Sequence, residues 1–278
     1  MSVLVRPATR RSALFDQFTD FVRLEIGVNL STAKRTMIEG RFHRHLLELG
    51  LKDFDAYLAW LFEEGALDQE RDAIFDAITT NKTDFFREPE HFQILRAECL
   101  PRFRASGRTR CKIWSAAASI GAEAWTIAIV LAEEARAMPF DWAILGTDIN
   151  ASVLETARRA IYADEMLRPV PPALRARYFL RGQAEYAQSA RVVPDLRRRV
   201  QFQRLNLMDP AYPVDHDVDV IFLRNVLIYF EPEDQAAVID RLVTHLDPGG
   251  CLFVGHSESM VVRHPALQQI APAVYRRR

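Results

Sequence analysis

Apolar residues recur every three or four positions over the first 80 residues, and beyond them short apolar runs alternate with helical stretches. Phe15, Phe18, Phe21 and Val22 share one helix face, and Tyr57, Leu58, Leu61 and Phe62 share another, the 3.6-residue period of amphipathic helices. This predicts a small all-α N-terminal domain over residues 1–80. Its second helix is expected to start at Ser31 as N-cap, to run through Lys34, Arg35, Met37, Ile38, Arg41, Phe42, Arg44, His45 and Leu46, and to stop at Gly50. Its apolar side would turn inward and its basic side outward.

Residues 81–110 read as a linker, with a helix after Pro89 and a basic, glycine-containing stretch from Ala105 to Thr109. In the second domain, residues 111–278, strands are expected at Lys112–Ser115 and Trp142–Thr147 and helices at Glu123–Ala137 and Ser152–Ala160. Such alternation implies an α/β fold with a doubly wound, mostly parallel sheet. Pro169, Pro171 and Pro172 interrupt it, so residues of about 162–200 read as an inserted subdomain. The alternation resumes with strands at Val200–Leu205 and Val218–Leu223, a helix from Pro232 to Leu246, a tight turn at Asp247-Pro248-Gly249-Gly250 and a strand at Cys251–Gly255.

Composition narrows the class. At 278 residues, 49% hydrophobic and 26% charged, the chain has room for one α/β domain and a smaller attachment. A formal net charge of -1 argues against nucleic-acid binding through overall charge. Cys99, Cys111 and Cys251 are far apart with no Cys-x-x-Cys pair, so no disulfide framework and no metal are expected. The stretch Met1–Phe15 lacks a secretory apolar core. Ile113–Ala132 is apolar but carries Ser115, Ser119, Gly121 and Glu123, which suits a buried strand and helix better than a membrane span. A cytoplasmic location is expected.

In an open α/β sheet, ligands lie beyond the carboxyl ends of the strands. The loop after the first strand, Ala116 to Gly121, is built of small residues that let a ligand approach the backbone. It lacks Gly-x-Gly-x-x-Gly, which weakens a dinucleotide. Asp148 ends the second strand, where a carboxylate accepts hydrogen bonds from ribose hydroxyls or caps the next helix. These features point to a nucleotide-type cofactor. Gly255-His256-Ser257-Glu258-Ser259 approaches a hydrolase nucleophile elbow, but Ser259 replaces the second glycine and only His264 follows as a base.

Asn81-Lys82-Thr83-Asp84-Phe85-Phe86-Arg87 resembles the Asn-x-Thr-x-Phe-Phe-Arg motif of the chemotaxis receptor glutamate methyltransferases, the CheR family. Further landmarks agree in order: Trp114-Ser115-Ala116-Ala117 with Gly121 and Glu123, Asp148-Ile149, Asn206-Leu207, Arg224-Asn225-Val226-Leu227-Ile228-Tyr229-Phe230, and Gly255-His256-Ser257-Glu258. The resemblance spans nearly the whole chain. It implies an adenosylmethionine-dependent methyltransferase fold with a small β insertion, and a site formed by Asn81, Thr83, Arg87, Glu123, Asp148, Asn206, Leu207, Arg224 and Asn225. Asp148 would hold the ribose, Asn206 and Leu207 the adenine, and Glu123 and Arg224 the amino acid end. Arg87 and Tyr229 would border the methyl transfer point as catalytic residues. Where the family reads Gly-Glu-Glu-Pro-Tyr-Ser, this chain has Gly121-Ala122-Glu123-Ala124-Trp125-Thr126, retaining the second acid.

The implied reaction forms methyl esters on glutamate side chains of chemoreceptors, with S-adenosylhomocysteine as the other product. A glutamate of pKa about 4.3 is already an anion at neutral pH and needs no general base. Lys34, Arg35, Arg41 and Arg44 would attract the acidic receptor helices. In some family members the β insertion docks a receptor's C-terminal peptide; here Gly182-Gln183-Ala184 lacks a second turn glycine. Two rivals are a non-catalytic adenosylmethionine-binding signalling module and a methyltransferase for a small-molecule carboxylate.

Overall fold

In the computed structural model the described residues are 7–278; residues 1–6, part of the stretch read for a leader, lie outside them. The chain divides into two units, one holding the helices up to Thr80 with Tyr229–Glu231, the other Asn81–Ile228 and Pro232–Arg278.

The helical unit contains α1 (Pro7–Ile26), α2 (Arg35–Leu49), α3 (Phe54–Glu63) and α4 (Leu67–Ile78). The 3.6-residue stripes read from the sequence become its core: Phe15, Phe18 and Val22 of α1, Ile38, Phe42 and Leu46 of α2, and Phe54, Tyr57, Leu58 and Leu61 of α3 are buried. Phe18 meets Phe42 and Phe54 edge-on at 6.0 and 5.5 Å between ring centres, the geometry aromatic quadrupoles favour. Asp53 caps α3, its carboxylate accepting the Ala56 N–H at 2.8 Å.

Ser31 does not act as the side-chain cap expected of it. Its carbonyl accepts the Lys34 N–H at 2.9 Å, closing a 3₁₀ turn over Thr32–Lys34 that precedes α2, and α2 has no side-chain N-cap bond. Gly50 ends α2 as expected, at φ 70°. The basic side is only partly outward-facing. Arg35 pairs with Glu39 and Asp55, and Arg41 donates to the Ile78 carbonyl at 2.5 Å and to Ala77 at 3.3 Å, satisfying the end of α4. Lys34 and Arg44 stay exposed, Arg44 beside Glu48.

The second unit opens with α5 (Glu90–Ile94), a π turn (Leu95–Cys99) and α6 (Leu100–Ala105). The single helix expected here is interrupted because Pro101, near the start of α6, has no N–H to continue an α-helical ladder. There follow β1 (Arg110–Ala116), α7 (Ala122–Ala137), β2 (Asp141–Asp148), α8 (Ala151–Arg159), β3 (Ile161–Ala163), α9 (Pro172–Tyr178), β4 (Phe179–Arg181), β5 (Ser189–Val192) and α10 (Pro194–Arg197). The chain then continues through β6 (Val200–Arg204), β7 (Val218–Leu223), α11 (Pro232–His245), β8 (Leu246–Val254), β9 (Leu267–Ala271) and β10 (Val274–Arg277).

Seven strands form one sheet in the order β6-β2-β1-β7-β8-β10-β9, parallel except for β10, which runs antiparallel to both its neighbours. β3, β5 and β4 form a separate three-stranded antiparallel sheet, the small β insertion implied by the resemblance. Strand alternation sorts the core. Cys111, Ile113, Val220, Phe222, Cys251 and Phe253 join α7 and the α5–α6 helices in one cluster. On the opposite face Trp114, fully buried, meets Tyr212 and His245, each at 5.7 Å.

Two features were not anticipated. β9 and β10 carry Gln268, Gln269, Arg276 and Arg277 among their apolar residues and escaped the apolar-run reading. Asp247, Pro248, Gly249 and Gly250 do not separate helix from strand: Leu246 pairs with Val218 and Cys251 with Val220, so these four residues bulge out of β8. Among the described residues no helix is long and apolar enough to cross a membrane.

Candidate functional site

The small-residue loop leaving β1 turns sharply into α7. Ala117, Ser119 and Gly121 all take left-handed backbone, at φ 71°, 51° and 87°. A Cβ on Gly121 would stand 2.9 Å from the Ala157 Cβ and 3.0 Å from Trp125 Nε1, so glycine is required there. Hydrogen bonds hold the loop from two sides. The Ala118 N–H donates to the Thr147 carbonyl and the Ser119 N–H to Asp148 Oδ2, both at 2.8 Å; Ser119 Oγ donates to the Asn81 carbonyl at 2.9 Å. The Asn-x-Thr segment and the end of β2 thereby meet at Ser119.

Asp148 is buried, and its Oδ1 accepts the Asn150 N–H at 3.0 Å. The helix-capping role that competed with ribose binding falls instead to Asn150, whose side chain accepts the Val153 N–H at 3.0 Å.

Next to the loop lies a buried charge cluster around Arg224, whose side chain is 3% exposed. Arg224 Nη2 donates to the Arg87 carbonyl at 2.5 Å and lies 3.4 Å from Glu88 Oε2, while Nη1 lies 3.3 Å from Glu123 Oε2. Glu123 also accepts from Ser115 Oγ at 2.6 Å. Burial pushes the Glu123 carboxyl above its ordinary range, against the opposing pull of Arg224 and Ser115. Glu88 is held below its ordinary range: burial raises it, but Arg224, the neighbouring histidines and Asn225 outweigh that. Arg224 Nε is buried with no hydrogen-bond partner, an orphaned donor of the kind an anionic ligand group satisfies. Ala122 and Ala124, standing where the family carries acid and proline, are fully buried.

Asn225 stands at φ 61°, a conformation asparagine tolerates better than most residues. Glu258, 1% exposed, fixes it: its carboxylate accepts the Asn225 N–H at 2.7 Å, the Gly255 N–H at 2.6 Å and the Ile228 N–H at 3.4 Å. Asn225 Nδ2 reaches Glu88 Oε1 at 3.4 Å. At the end of β6, the Leu205 N–H donates to the Asp148 carbonyl at 3.0 Å. Asn206 Oδ1 accepts the Met208 N–H at 3.0 Å, and the Leu207 carbonyl accepts from Tyr212 Oη at 2.7 Å and Arg241 Nη2 at 3.0 Å.

Hydrogen bonds and ion pairs thus link Asn81 with Asp148, and Arg87, Glu123, Arg224 and Asn225 with one another, with Asn206 and Leu207 continuing from the Asp148 contact. Thr83 is half-buried and makes none of these contacts, and Arg87 Nη1 donates to the Lys82 carbonyl at 3.2 Å. Tyr229 groups with the helical unit. The sequence reading missed Ser115, Ser119, Glu88 and Glu258 as builders of this site. Glu88 directly follows the Asn-x-Thr-x-Phe-Phe-Arg motif and Glu258 closes the Gly-His-Ser-Glu landmark, so the signal was adjacency to motifs already noted.

A mostly parallel seven-stranded sheet with one antiparallel strand set inside it, a small-residue loop after the first strand and an acid ending the second define an S-adenosylmethionine-dependent methyltransferase. More closely, the chain belongs to the CheR methyltransferase family: residues 81–275 match its "SAM binding domain" and residues 13–79 its "all-alpha domain". It is similar to the chemotaxis protein methyltransferases of Escherichia coli K12 (39% identical, over 92% of this chain and 89% of that protein) and Salmonella typhimurium LT2 (40%, over 93% and 88%). It also resembles chemotaxis protein methyltransferase 2 of Pseudomonas aeruginosa PAO1, at 36% identity over 94% of this chain and 91% of that one. The family resemblance expected from the motifs is therefore correct.

Proposed function

We propose that the protein transfers a methyl group from S-adenosylmethionine to glutamate side chains in the cytoplasmic domains of chemoreceptors, acting in the cytoplasm. The observation that carries this is the buried Arg224–Glu123 pair beside the Arg87 backbone. A buried carboxylate and a guanidinium with an orphaned Nε suit the ammonium and carboxylate of an amino acid end. When bound, adenosylmethionine supplies a methyl group already activated by its sulfonium.

In this reading Asn81, Thr83, Arg87, Glu123, Asp148, Asn206, Leu207, Arg224 and Asn225 hold the cofactor. Asp148 takes the ribose, Asn206 and Leu207 the adenine. Arg87 and Tyr229 orient the acceptor carboxylate in line with the methyl group, which is a positioning task and needs no base. Burial raises the Glu123 carboxyl, and Arg224, Ser115 and the incoming ammonium oppose that by favouring its charged form. The division into residues 1–80, 81–110 and 111–278, with the insertion at about 162–200, separates receptor-facing helices from cofactor-holding parts. Of the four basic residues expected to meet the receptor, Lys34 and Arg44 are exposed, while Arg35 and Arg41 are engaged within their own unit. Lys34 and Arg44 therefore carry that expectation.

The test is to incubate the protein with labelled adenosylmethionine and receptor-rich membranes and to count base-labile methyl esters. Ester is expected with wild type, and a rate lower by about 10²-fold with Arg87→Ala if positioning is lost. Absence of ester from wild type that binds the cofactor normally would sink the proposal.

A further inference from the structure

Glu88, His91 and His256 bring three ligand-bearing groups together, with the donor atoms all within 4.8 Å of one another. His91, in the first turns of α5, is fully buried, and neither Nδ1 nor Nε2 has a hydrogen-bond partner. One edge of its surroundings is the Phe253 ring, 5.5 Å away. Buried polar atoms are almost always satisfied, and an imidazole with both nitrogens unpaired calls for an explanation. Its Nδ1 lies 3.3 Å from Glu88 Oε2, an oxygen that is also buried and accepts no hydrogen bond. The same oxygen lies 3.9 Å from His256 Nδ1, and the two imidazoles stand 4.9 Å apart. Orphaned groups thus face one another across a gap of a few ångströms.

We propose that Glu88, His91 and His256 form a binding site for a divalent transition metal of the zinc class. Zinc bonds to imidazole nitrogen and carboxylate oxygen are about 2.0–2.2 Å long, so tetrahedral neighbours stand about 3.3–3.5 Å apart. The Glu88–His91 separation of 3.3 Å already meets that requirement. His256 is farther out, but its side chain is 48% exposed, so a change of rotamer closes the remaining distance. Two imidazoles and one carboxylate select zinc-class ions over magnesium or calcium, which prefer all-oxygen shells. The exposed side of His256 leaves the fourth position to water. Arg224, 3.4 Å from Glu88 Oε2, opposes a cation there, so the affinity falls below that of closed four-ligand sites. The earlier expectation of no metal rested on cysteine spacing, which does not register a Glu-x-x-His pair completed by a histidine far along the chain.

The full chain, stripped with a chelator, is titrated at neutral pH with zinc chloride against a colorimetric competitor, and separately with cobalt chloride followed by visible absorption. One zinc per chain is expected, with affinity lower in His256→Ala by at least the roughly 10- to 100-fold that loss of a ligand's outer-shell support costs. The absorption of tetrahedral cobalt should vanish in the same variant. His256 is exposed, so this substitution spares the core, and an unchanged melting temperature verifies it. His91→Gln serves as the second variant. Failure of wild type to take up a stoichiometric zinc, or equal affinity in wild type and both variants, overturns the proposal. No adenosylmethionine enters the measurement, so its outcome is independent of the methyl transfer reaction.

Discussion

Arg224 lies under two carboxylates and a backbone carbonyl with almost no solvent contact. Removing one partner of a buried ion pair leaves the other charge uncompensated, so Arg224→Ala should cost about 3–5 kcal/mol, read as a drop in unfolding free energy in urea. If the proposed cofactor contacts are right, calorimetric binding of S-adenosylhomocysteine disappears as well. Glu258→Ala strips the acceptor from the N–H groups of Gly255, Asn225 and Ile228. An orphaned buried donor costs about 1–3 kcal/mol, and the Gly255 N–H is buried while the other two are partly so, so a loss of at least about 1–3 kcal/mol is expected in the same urea assay, with Asn225 released from φ 61°. At this scale the sequence was half legible. Glu123, Asp148, Arg224 and Asn225 stood in recognisable motifs, but their partners did not announce themselves. The Arg224–Arg87 contact joins residues 137 positions apart, and Ser119 binds Asn81 with a hydroxyl that periodicity says nothing about.

Among the elements, the junction of β1 and α7 depends on one glycine. Gly121→Ala must place a Cβ against Ala157 and Trp125 while holding φ 87°, so it should destabilise by about 1–3 kcal/mol through overpacking and strain. Thermal unfolding of the purified variant checks this, and an unchanged melting temperature would contradict the contact. Helices and buried strands were read correctly where apolar spacing was dense, as in Phe15–Val22 or Val218–Leu223. The departures have local causes. Pro101 turns one expected helix into two around a π turn. The 3₁₀ turn at Thr32–Lys34 supplants Ser31's cap, and the four-residue bulge at Asp247 hides inside a strand because proline and glycines mimic a terminating turn.

For the molecule as a whole, acid–base behaviour links distant parts of the α/β unit. Asp219 on β7 accepts the Lys112 N–H at 2.8 Å and the Arg108 guanidinium at 2.7 Å. Burial, reinforced by Asp247 and Asp217, nevertheless pushes its carboxyl up to about 6. An unfolded aspartate titrates at about 3.9, so between these values the folded chain holds a proton that the unfolded chain has released. Its contribution to stability is therefore complete below about pH 4 and lost as pH rises through about 6. In Asp219→Asn the difference in unfolding free energy between those two pH values should lack this component, measured against wild type by urea titration; identical profiles would refute it. The fold class was legible because alternation of strand and helix is a long-range pattern, whereas the polar residues in β9 and β10 concealed the far edge of the sheet.

The position of β10 has a consequence for how the protein is made. A strand translated after β8 and β9 lies between them, so until Val274–Arg277 has left the ribosome β9 has no partner in the sheet and β8, paired with β7 alone, keeps one bare edge. Nascent chains halted before that point would hold the loops after β1 and β2 without the far edge of the sheet, exposing the free edge of β8 and the unpaired β9 to neighbouring chains.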